Sequence, residues 1–512
     1  MIYIIGSGLS GIAAAMALVK RGLRPTILDA GIPPDSASRR LKSRLASTEP
    51  HLWNSDDVTQ LKRMGPPAPS GIPQKLHFGS NFAYRDADPG TTSGLHHASI
   101  LRTFAQGGFT NVWGAVVQPL PAKELERWPV TLKELSTHYS AVSEFMSPRD
   151  ATLRPTTQAR QLHDDLTHCR RELEREGIRF QYASLAVRTS DDENGKGCRY
   201  CGVCLYGCPY GSIFSAASQL EAMVRSGQIS YVSDVLVDRI SKSPVGVRVE
   251  ARSARDNSPR TFEGQSAFLA AGLLESARII LNSTNQSSKP LPVQQSDIFT
   301  IPLLRYRSAK DISRERLHTL CQTVVEVNDS AICPQPVQLQ LYGYNDLYPQ
   351  LLARRLGLLA RPLEPLLRTV SARLMVAFGY LHSDVSSRVW ITRTGDRSGR
   401  LRLEGQANPE SQRIGRAVVR KLSRMRHHLR TVPLPMQLRF DQPGGGHRSG
   451  GCFPMRRSPA ELETDSWGCI PELPGVHIVD SSVLPSVPAC PVAFTAMANA
   501  HRIASGCRIE NE

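Results

Sequence analysis

The short apolar run Ile2–Ile5 opens straight into Gly6-Ser-Gly8-Leu-Ser-Gly11, and no other stretch narrows the fold as much. Ile12–Arg21 continues as an Ala-rich helical run and Pro25–Ala30 (PTILDA) as a second strand, so the spacing predicts an opening βαβ unit. In such a unit Gly6 permits the tight turn, Gly8 lets the backbone approach a pyrophosphate, and Gly11 allows close helix–strand packing. The helix start adds N–H donors and a dipole that favour phosphate. Asp29 stands eighteen residues after Gly11 at the end of the second strand, where an acid binds ribose hydroxyls. Together these features predict a dinucleotide site rather than a structural glycine turn.

Further along, Gly107-Gly108-Phe-Thr-Asn111-Val-Trp113-Gly114 is a second glycine-rich segment. Ser266–Ala271, Gly272 and the helical run Leu273–Leu281 repeat the order strand, glycine, helix. Residues 32–75 read as a loop-rich excursion and 284–300 as a linker. From 301 to 440 the composition shifts to strand-like segments around a Leu/Arg-rich helix, which predicts a separate domain; 441–512 returns to Gly, Pro and small apolar residues. The fold class is therefore α/β, α+β overall. A Rossmann-like dinucleotide-binding domain (1–300) is expected beside a second domain (301–440), with 441–512 returning to the first.

Cys198-Arg-Tyr-Cys201-Gly-Val-Cys204-Leu-Tyr-Gly-Cys208-Pro209 has the C-x2-C-x2-C-x3-C-P spacing of ferredoxin cluster ligands. Three readings stay open: an iron–sulfur cluster (4Fe–4S or 3Fe–4S), a structural cysteine-rich turn, and a zinc knuckle, which lacks a clear second ligand pair. Eleven cysteines, four of them in one run, fit a reducing compartment better than a secreted disulfide scaffold. Met1 leads directly into the first strand, leaving no room for a signal peptide, and no stretch approaches a spanning helix. A cytoplasmic protein is expected, unless it is exported on a partner.

The net charge of +16 suits an anionic partner such as a membrane face or a phosphorylated sugar. No nucleic-acid-binding motif is present, so nucleic acid is not expected as a partner. Residues 347–375 interleave leucines with Arg354, Arg361, Arg368 and Arg373 against the single acid Glu364. That composition fits an interfacial helix on the inner face of an anionic membrane, or two amphipathic helices over a sheet.

Four separated blocks resemble the glucose–methanol–choline (GMC) family of flavin oxidoreductases: GSGLSG with LDAG, QGGFTNVWG, FLAAGLLESARIIL, and the C-terminal pair GHRSGGCFPM and VHIVDSSVLPSVPACPVAFTAMANAHRIA. The resemblance covers 1–31, 76–140, 195–283 and 441–505, and implies an FAD-binding domain at 1–300, a discontinuous substrate-binding domain built on an antiparallel sheet at 301–440 and a catalytic segment at 441–512. It implies FAD, with Gly6, Gly8, Gly11 and Asp29 at its ADP half and Gly107, Gly108, Asn111 and Trp113 along the pyrophosphate and ring system. Val235 matches the position whose backbone meets adenine, Asp480 and Ser481 the turn at the ribityl and phosphate, and Pro491 and Val492 the turn under the pyrimidine. His447 corresponds to the catalytic histidine; a neutral imidazole suits removal of a hydroxyl proton while hydride leaves for flavin N5.

The second catalytic His or Asn of the family falls on Pro491, beside Cys490, and neither is a base. His382, His96 and His97 are the candidates to replace it, and Tyr344 and Asn345 the polar residues to watch in the middle domain. Some sugar dehydrogenases of this family carry a cysteine cluster and an iron–sulfur centre, which the ending Cys208-Pro-Tyr-Gly211 resembles. The resemblance implies a dehydrogenase that oxidises a secondary alcohol, a sugar ring hydroxyl first, to a ketone. Electrons would pass to a quinone, a cytochrome or another carrier. An oxygen-reducing alcohol oxidase with structural cysteines and a non-redox lyase that keeps FAD as scaffold are the alternatives.

Overall fold

Five parallel strands carry the opening βαβ unit in the order Val476–Ile478, Ser266–Leu269, Ile2–Ile5, Thr26–Leu28, Ser230–Val232. The computed structural model describes residues 1–66, 73–88, 92–146, 153–193, 195–284, 289–394 and 400–508. Ile2–Ile5 is buried along its whole length, as a strand covered on both faces must be. The helix Leu9–Lys20 packs against the C-terminal helix Ala493–Gly506. Ala13, Ala14 and Ala17 face Ala-rich positions such as Ala496 and Ala500, all buried, and such small side chains let two helix axes approach closely. Wholly buried larger residues, Ile12 and Leu18 among them, each contribute about 2 kcal/mol of apolar transfer.

A seven-stranded antiparallel sheet forms the second layer, in the order Thr431–Pro433, Ile298–Arg305, Leu374–Tyr380, Val337–Tyr342, Thr323–Val327, Ile178–Tyr182, with Arg439–Phe440 also on Ile298–Arg305. Alternation along these strands separates two faces. Phe299, Ile301, Leu339, Leu341 and Ala377 share a core with Ile414, Val418 and Leu422 of the helix Pro409–Arg424. The opposite face carries Thr300, Gln338, Gln340 and Tyr380, and meets the dinucleotide domain.

The sheets cross the boundaries expected at 300 and 440. Ile178–Tyr182 pairs with Thr323–Val327, while Arg388–Arg393 and Leu401–Gln406 belong to another sheet with Leu291–Gln295, Ser449–Gly450 and Thr92–His96. The excursion 32–75 holds two helices, Ser36–Ala46 and Ser55–Leu61, whose Leu41, Leu45 and Leu61 bury against Phe78 and Tyr206. Residues 285–288 of the expected linker 284–300 lie outside the described residues, and the rest contains the strand Leu291–Gln295 and the start of Ile298–Arg305. Ser, Gln and Pro disguise it, because only alternate residues are buried.

Candidate active site

The three glycines of the first motif do three different things. Gly6 has φ +100°, and a Cβ there would lie 2.4 Å from the Ala270 carbonyl oxygen. A Cβ on Gly11 would lie 2.1 Å from the Gly6 carbonyl oxygen, so helix and turn are in direct backbone contact. A Cβ on Gly8 would meet nothing within 4 Å: its backbone borders open space at the helix N-terminus. That is a cradle for a pyrophosphate, and the residues fit FAD. Asp29 is buried, accepts from the hydroxyls of Ser7 and of Tyr231 (3.2 Å), and burial pushes its carboxyl up to about 6.

The second glycine segment closes over the first. Gly107 (φ +79°) and Gly108 (φ +60°) are left-handed, and a Cβ on Gly108 would lie 3.3 Å from Gly8 Cα. Asn111 spends its amide on the carbonyls of Gln106 and Gly108 (2.9 and 2.7 Å), and the Trp113 indole donates to the Phe214 carbonyl at 3.0 Å. Both side chains therefore shape the loop, which leaves its backbone to line the cradle. Val235 donates its N–H to the Asp29 carbonyl at 3.0 Å, fixing the strand end beside the acid. The Asp480 carboxylate is fully engaged, by Gly272 N–H and Ser276 Oγ on one oxygen and by the N–H and Oγ of Ser482 on the other. It clamps the start of the helix Leu273–Ser283 to the turn that bears Ser481. Pro491 and Val492 lie buried at the N-terminus of Ala493–Gly506.

His447 follows the turn Gly444–Gly446 with φ +53°, a left-handed conformation that costs a non-glycine residue roughly 1 kcal/mol and concentrates at functional sites. Gly446 admits no side chain, since a Cβ would meet the Ser296 carbonyl at 2.2 Å. The strand Ser449–Gly450 then pins the segment to Gln294–Gln295. The His447 side chain is open to solvent but crowded by protein on its other sides. Desolvation pushes its pKa below the usual 6.5 against the pull of Asp441, which favours the neutral, proton-accepting imidazole.

Arg448 turns inward: it is 9% exposed, donates from Nη1 to the Ala489 carbonyl, and lies over the Tyr380 ring at 3.3 Å. Tyr380 belongs to the sheet face opposite the glycine loops, in register with Gln338. Gln338 donates to Gln118 at 2.9 Å, and a Cβ on Gly114 would lie 3.3 Å from the Tyr342 hydroxyl, so this face sits directly against the Trp113 loop. Gln338 Oε1, Gln340 Nε2 and Thr300 Oγ1 are buried without a hydrogen-bond partner among the described residues. Orphaned polar atoms clustered on one wall need a functional account, such as a polar ligand.

Cys198, Cys201, Cys204 and Cys208 line one small cavity with His318 and Leu320. Burial, reinforced by the neighbouring sulfurs, pushes the Cys198 thiol up to about 12 and raises those of Cys201 and Cys204. No group of three or more His, Cys, Asp or Glu side chains among the described residues is arranged to hold a metal ion. Residues 75–78 connect this loop to the glycine loop. Lys75 Nζ donates to the Trp113 carbonyl at 3.1 Å, Phe78 N–H donates to the Tyr206 carbonyl at 2.9 Å, and burial lowers the Lys75 pKa to about 8 although Cys204 and Cys208 pull it up.

The candidates for a second base are placed elsewhere. His382 is buried with Nε2 3.2 Å from both Glu124 carboxylate oxygens, and Ser486 also donates to Glu124, so the trio ties the antiparallel sheet to the loop before Pro491. Burial works against the Glu124 charge, but these hydrogen bonds hold its pKa below the usual range. His96 and His97 are exposed at the end of an edge strand. Asn345 caps the start of Leu347–Leu356, and Tyr344 packs with Ile312 and Leu317. Arg448, Tyr342, Tyr380, Gln338 and Gln340 escape sequence reasoning. Only the adjacency of Arg448 to His447 signals one of them; the rest depend on strand register.

Residues 89–295 match the family model for GMC oxidoreductases, and residues 4–64 match a NAD(P)-binding Rossmann-like domain. No curated protein matches the sequence. Pyridoxine 4-oxidase from Mesorbium loti has a similar fold at 14% identity, with a TM-score of 0.62 over 98% of each chain. Among the described residues no helix is long and apolar enough to cross a membrane. The chain thus carries a GMC oxidoreductase domain beside a Rossmann-like dinucleotide-binding domain, the make-up of an FAD-dependent oxidoreductase acting on CH–OH groups.

Proposed function

We propose that the enzyme is a dehydrogenase that oxidises a secondary ring hydroxyl of a sugar to a ketone. The observation that carries this reading is the pairing of His447 at the glycine turn with a facing wall whose amides and hydroxyl lack partners. A polyhydroxylated ring satisfies such atoms, whereas a simple aliphatic alcohol leaves them orphaned. FAD, when bound, supplies the hydride acceptor for the carbinol C–H. The chain's own part is to bind and orient the ring between the two domains and to accept the hydroxyl proton on the unprotonated nitrogen of His447. Anaerobic bleaching of the flavin by a panel of aldoses, aldonates, uronates and simple secondary alcohols tests the reading. Bleaching by simple alcohols alone would overturn the sugar assignment.

The reading extends to the electron outlet: Cys198, Cys201, Cys204 and Cys208 are the residues that would hold an iron–sulfur cluster, once their thiols are drawn together around it. Four thiols on one cavity, and the direct link from Trp113 through Lys75 to this loop, support it. Iron and acid-labile sulfide per flavin, on protein purified without oxygen, decide the matter; stoichiometric FAD without iron returns the cysteines to a structural role. In that case oxygen becomes the first acceptor to test, in line with the fold shared with an oxidase.

The membrane contact belongs to the same reading. Leu358, Leu359 and Leu366 are 97%, 61% and 56% exposed on one segment beside Arg361 and Arg368, which supports docking on an anionic bilayer at the inner face of the membrane and a lipid-soluble carrier such as quinone. All eleven cysteines are free, as a cytoplasmic enzyme requires. Co-sedimentation with phosphatidylglycerol vesicles at low salt tests the contact, and absence of binding ends it.

A further inference from the structure

Arg448 is a buried cation without a counter-ion. Among the described residues no carboxylate lies within 4.0 Å of its guanidinium. Its neighbours are the Ala489 carbonyl, the Tyr380 ring and hydroxyl, and the weakly acidic Cys490, Tyr342 and Cys321, none of them charged at neutral pH. Glu326, the acid in register with Gln338 on the facing sheet, remains outside ion-pairing distance. An uncompensated guanidinium at this depth costs several kcal/mol and persists only where something else repays it.

Arg305 shows the difference between a structural and a poised arginine. It is wholly buried, pairs with Asp165 at 2.7 Å, and its Nε and Nη1 are sealed without partners. No Arg448 nitrogen is both sealed and unpartnered. A guanidinium carries five N–H donors, more than the Ala489 carbonyl and the Tyr380 hydroxyl can accept, so donor capacity is left over for a ligand. Its place is defined on three sides: the next residue after His447, beneath the Ala489–Cys490 turn that precedes Pro491, and stacked on the substrate-facing sheet. The stack fixes the plane of the fork, and a fixed fork matches a carboxylate through two parallel hydrogen bonds.

We propose that the alcohol oxidised here carries a carboxylate, and that Arg448 receives it while His447 takes the proton from a hydroxyl of the same molecule. The substrate class is therefore the acidic sugar that keeps its ring, a uronic acid, rather than the neutral one. This rests on the dehydrogenase reading above and narrows it. The carboxylate replaces the second polar contact that Pro491 cannot make, by anchoring the ring from its acidic end.

The test uses the FAD-loaded enzyme and matched pairs: glucuronate with glucose, galacturonate with galactose, mannuronate with mannose. The wild type should favour the acid of at least one pair by about tenfold or more in kcat/KM, the worth of a charge-assisted hydrogen bond. Arg448→Met should bring that ratio to about one and Arg448→Lys to an intermediate value, with flavin content unchanged. Independently of turnover, acetate should perturb the flavin spectrum of the wild type and compete with the acidic substrate, and R448M should lose both effects. Equal use of acid and neutral sugar, or loss of FAD from R448M with the ratio retained, would overturn the proposal and make Arg448 a cofactor contact. If no alcohol bleaches the flavin while acetate still binds through Arg448, the anion subsite stands and the dehydrogenase reading is what fails.

Discussion

The amide of Gly107 donates to the hydroxyl of Ser7 at 2.9 Å and so joins two glycine segments a hundred residues apart. The same hydroxyl donates to Asp29, so one oxygen positions both sides of the nucleotide cradle. Ser7→Ala removes both bonds inside a buried site. Expected is a loss of FAD affinity of roughly tenfold, from one to two kcal/mol of lost hydrogen bonding, with the fold intact. Flavin retained after gel filtration measures it.

Gly8→Val and Gly11→Val separate cofactor from fold. A side chain at Gly8 enters open space, so the apoprotein should keep its melting temperature and lose FAD. A side chain at Gly11 strikes the Gly6 backbone and should prevent accumulation of folded protein. Equal thermal stability of the two variants would contradict this assignment.

Proton acceptance by His447 carries a sign. Desolvation lowers its pKa, so the neutral ring prevails above the ordinary 6.5 and some way below it. The profile of kcat/KM against pH should stay flat through neutrality and fall on an acid limb below 6.5. His447→Asn should reduce kcat by about a hundredfold or more and remove that limb.

Removing one partner of a buried ion pair strands the other. Asp165→Asn leaves Arg305, which has no exposed surface, without its carboxylate, and should cost about 3 kcal/mol of unfolding free energy. Denaturant unfolding of the flavin-loaded protein checks it. A cost below half a unit would mean that relaxation lets water reach Arg305.

Acid should destabilise the fold before it hydrolyses anything. His77, His163, His318 and His501 are held by burial at about 4, so between 6.5 and 4 the unfolded chain binds more protons than the native one and stability falls with falling pH. Asp29, raised to about 6, works in the opposite direction: its contribution is present at low pH and lost as pH rises through 6. Asp88, Asp297 and Asp480 are raised by burial as well, but His138, His447 and His477 are lowered too, so the histidines outnumber the raised carboxyls and the melting temperature should drop from pH 6.5 toward 4.

The nucleotide half of the site was legible because its chemistry is written in consecutive residues. Gly6, Gly8 and Gly11 take their roles from local turn and helix geometry, and His447 from a contiguous block. The wall of unpartnered polar atoms was not legible, because Gln338, Tyr380 and Thr300 become neighbours only through strand register across separate strands. His382 misled for the same reason: its partner Glu124 lies 258 residues away. The side chains of Asp480, Asn111 and Trp113, which the resemblance implies lie along the flavin, are spent on holding backbone in place.

The sheets also set an order of assembly. Ile178–Tyr182 has no neighbour until Thr323–Val327 leaves the ribosome, and the parallel sheet lacks its last strand until Val476–Ile478 follows. During synthesis the chain therefore carries unpaired strand edges for most of its length, an invitation to aggregation and to holding chaperones. Products truncated before residue 447 should be inactive, since they lack His447, Arg448 and the closing strand Val476–Ile478 together. Folding of the nucleotide domain, for this topology, waits on the synthesis of residues 476–478.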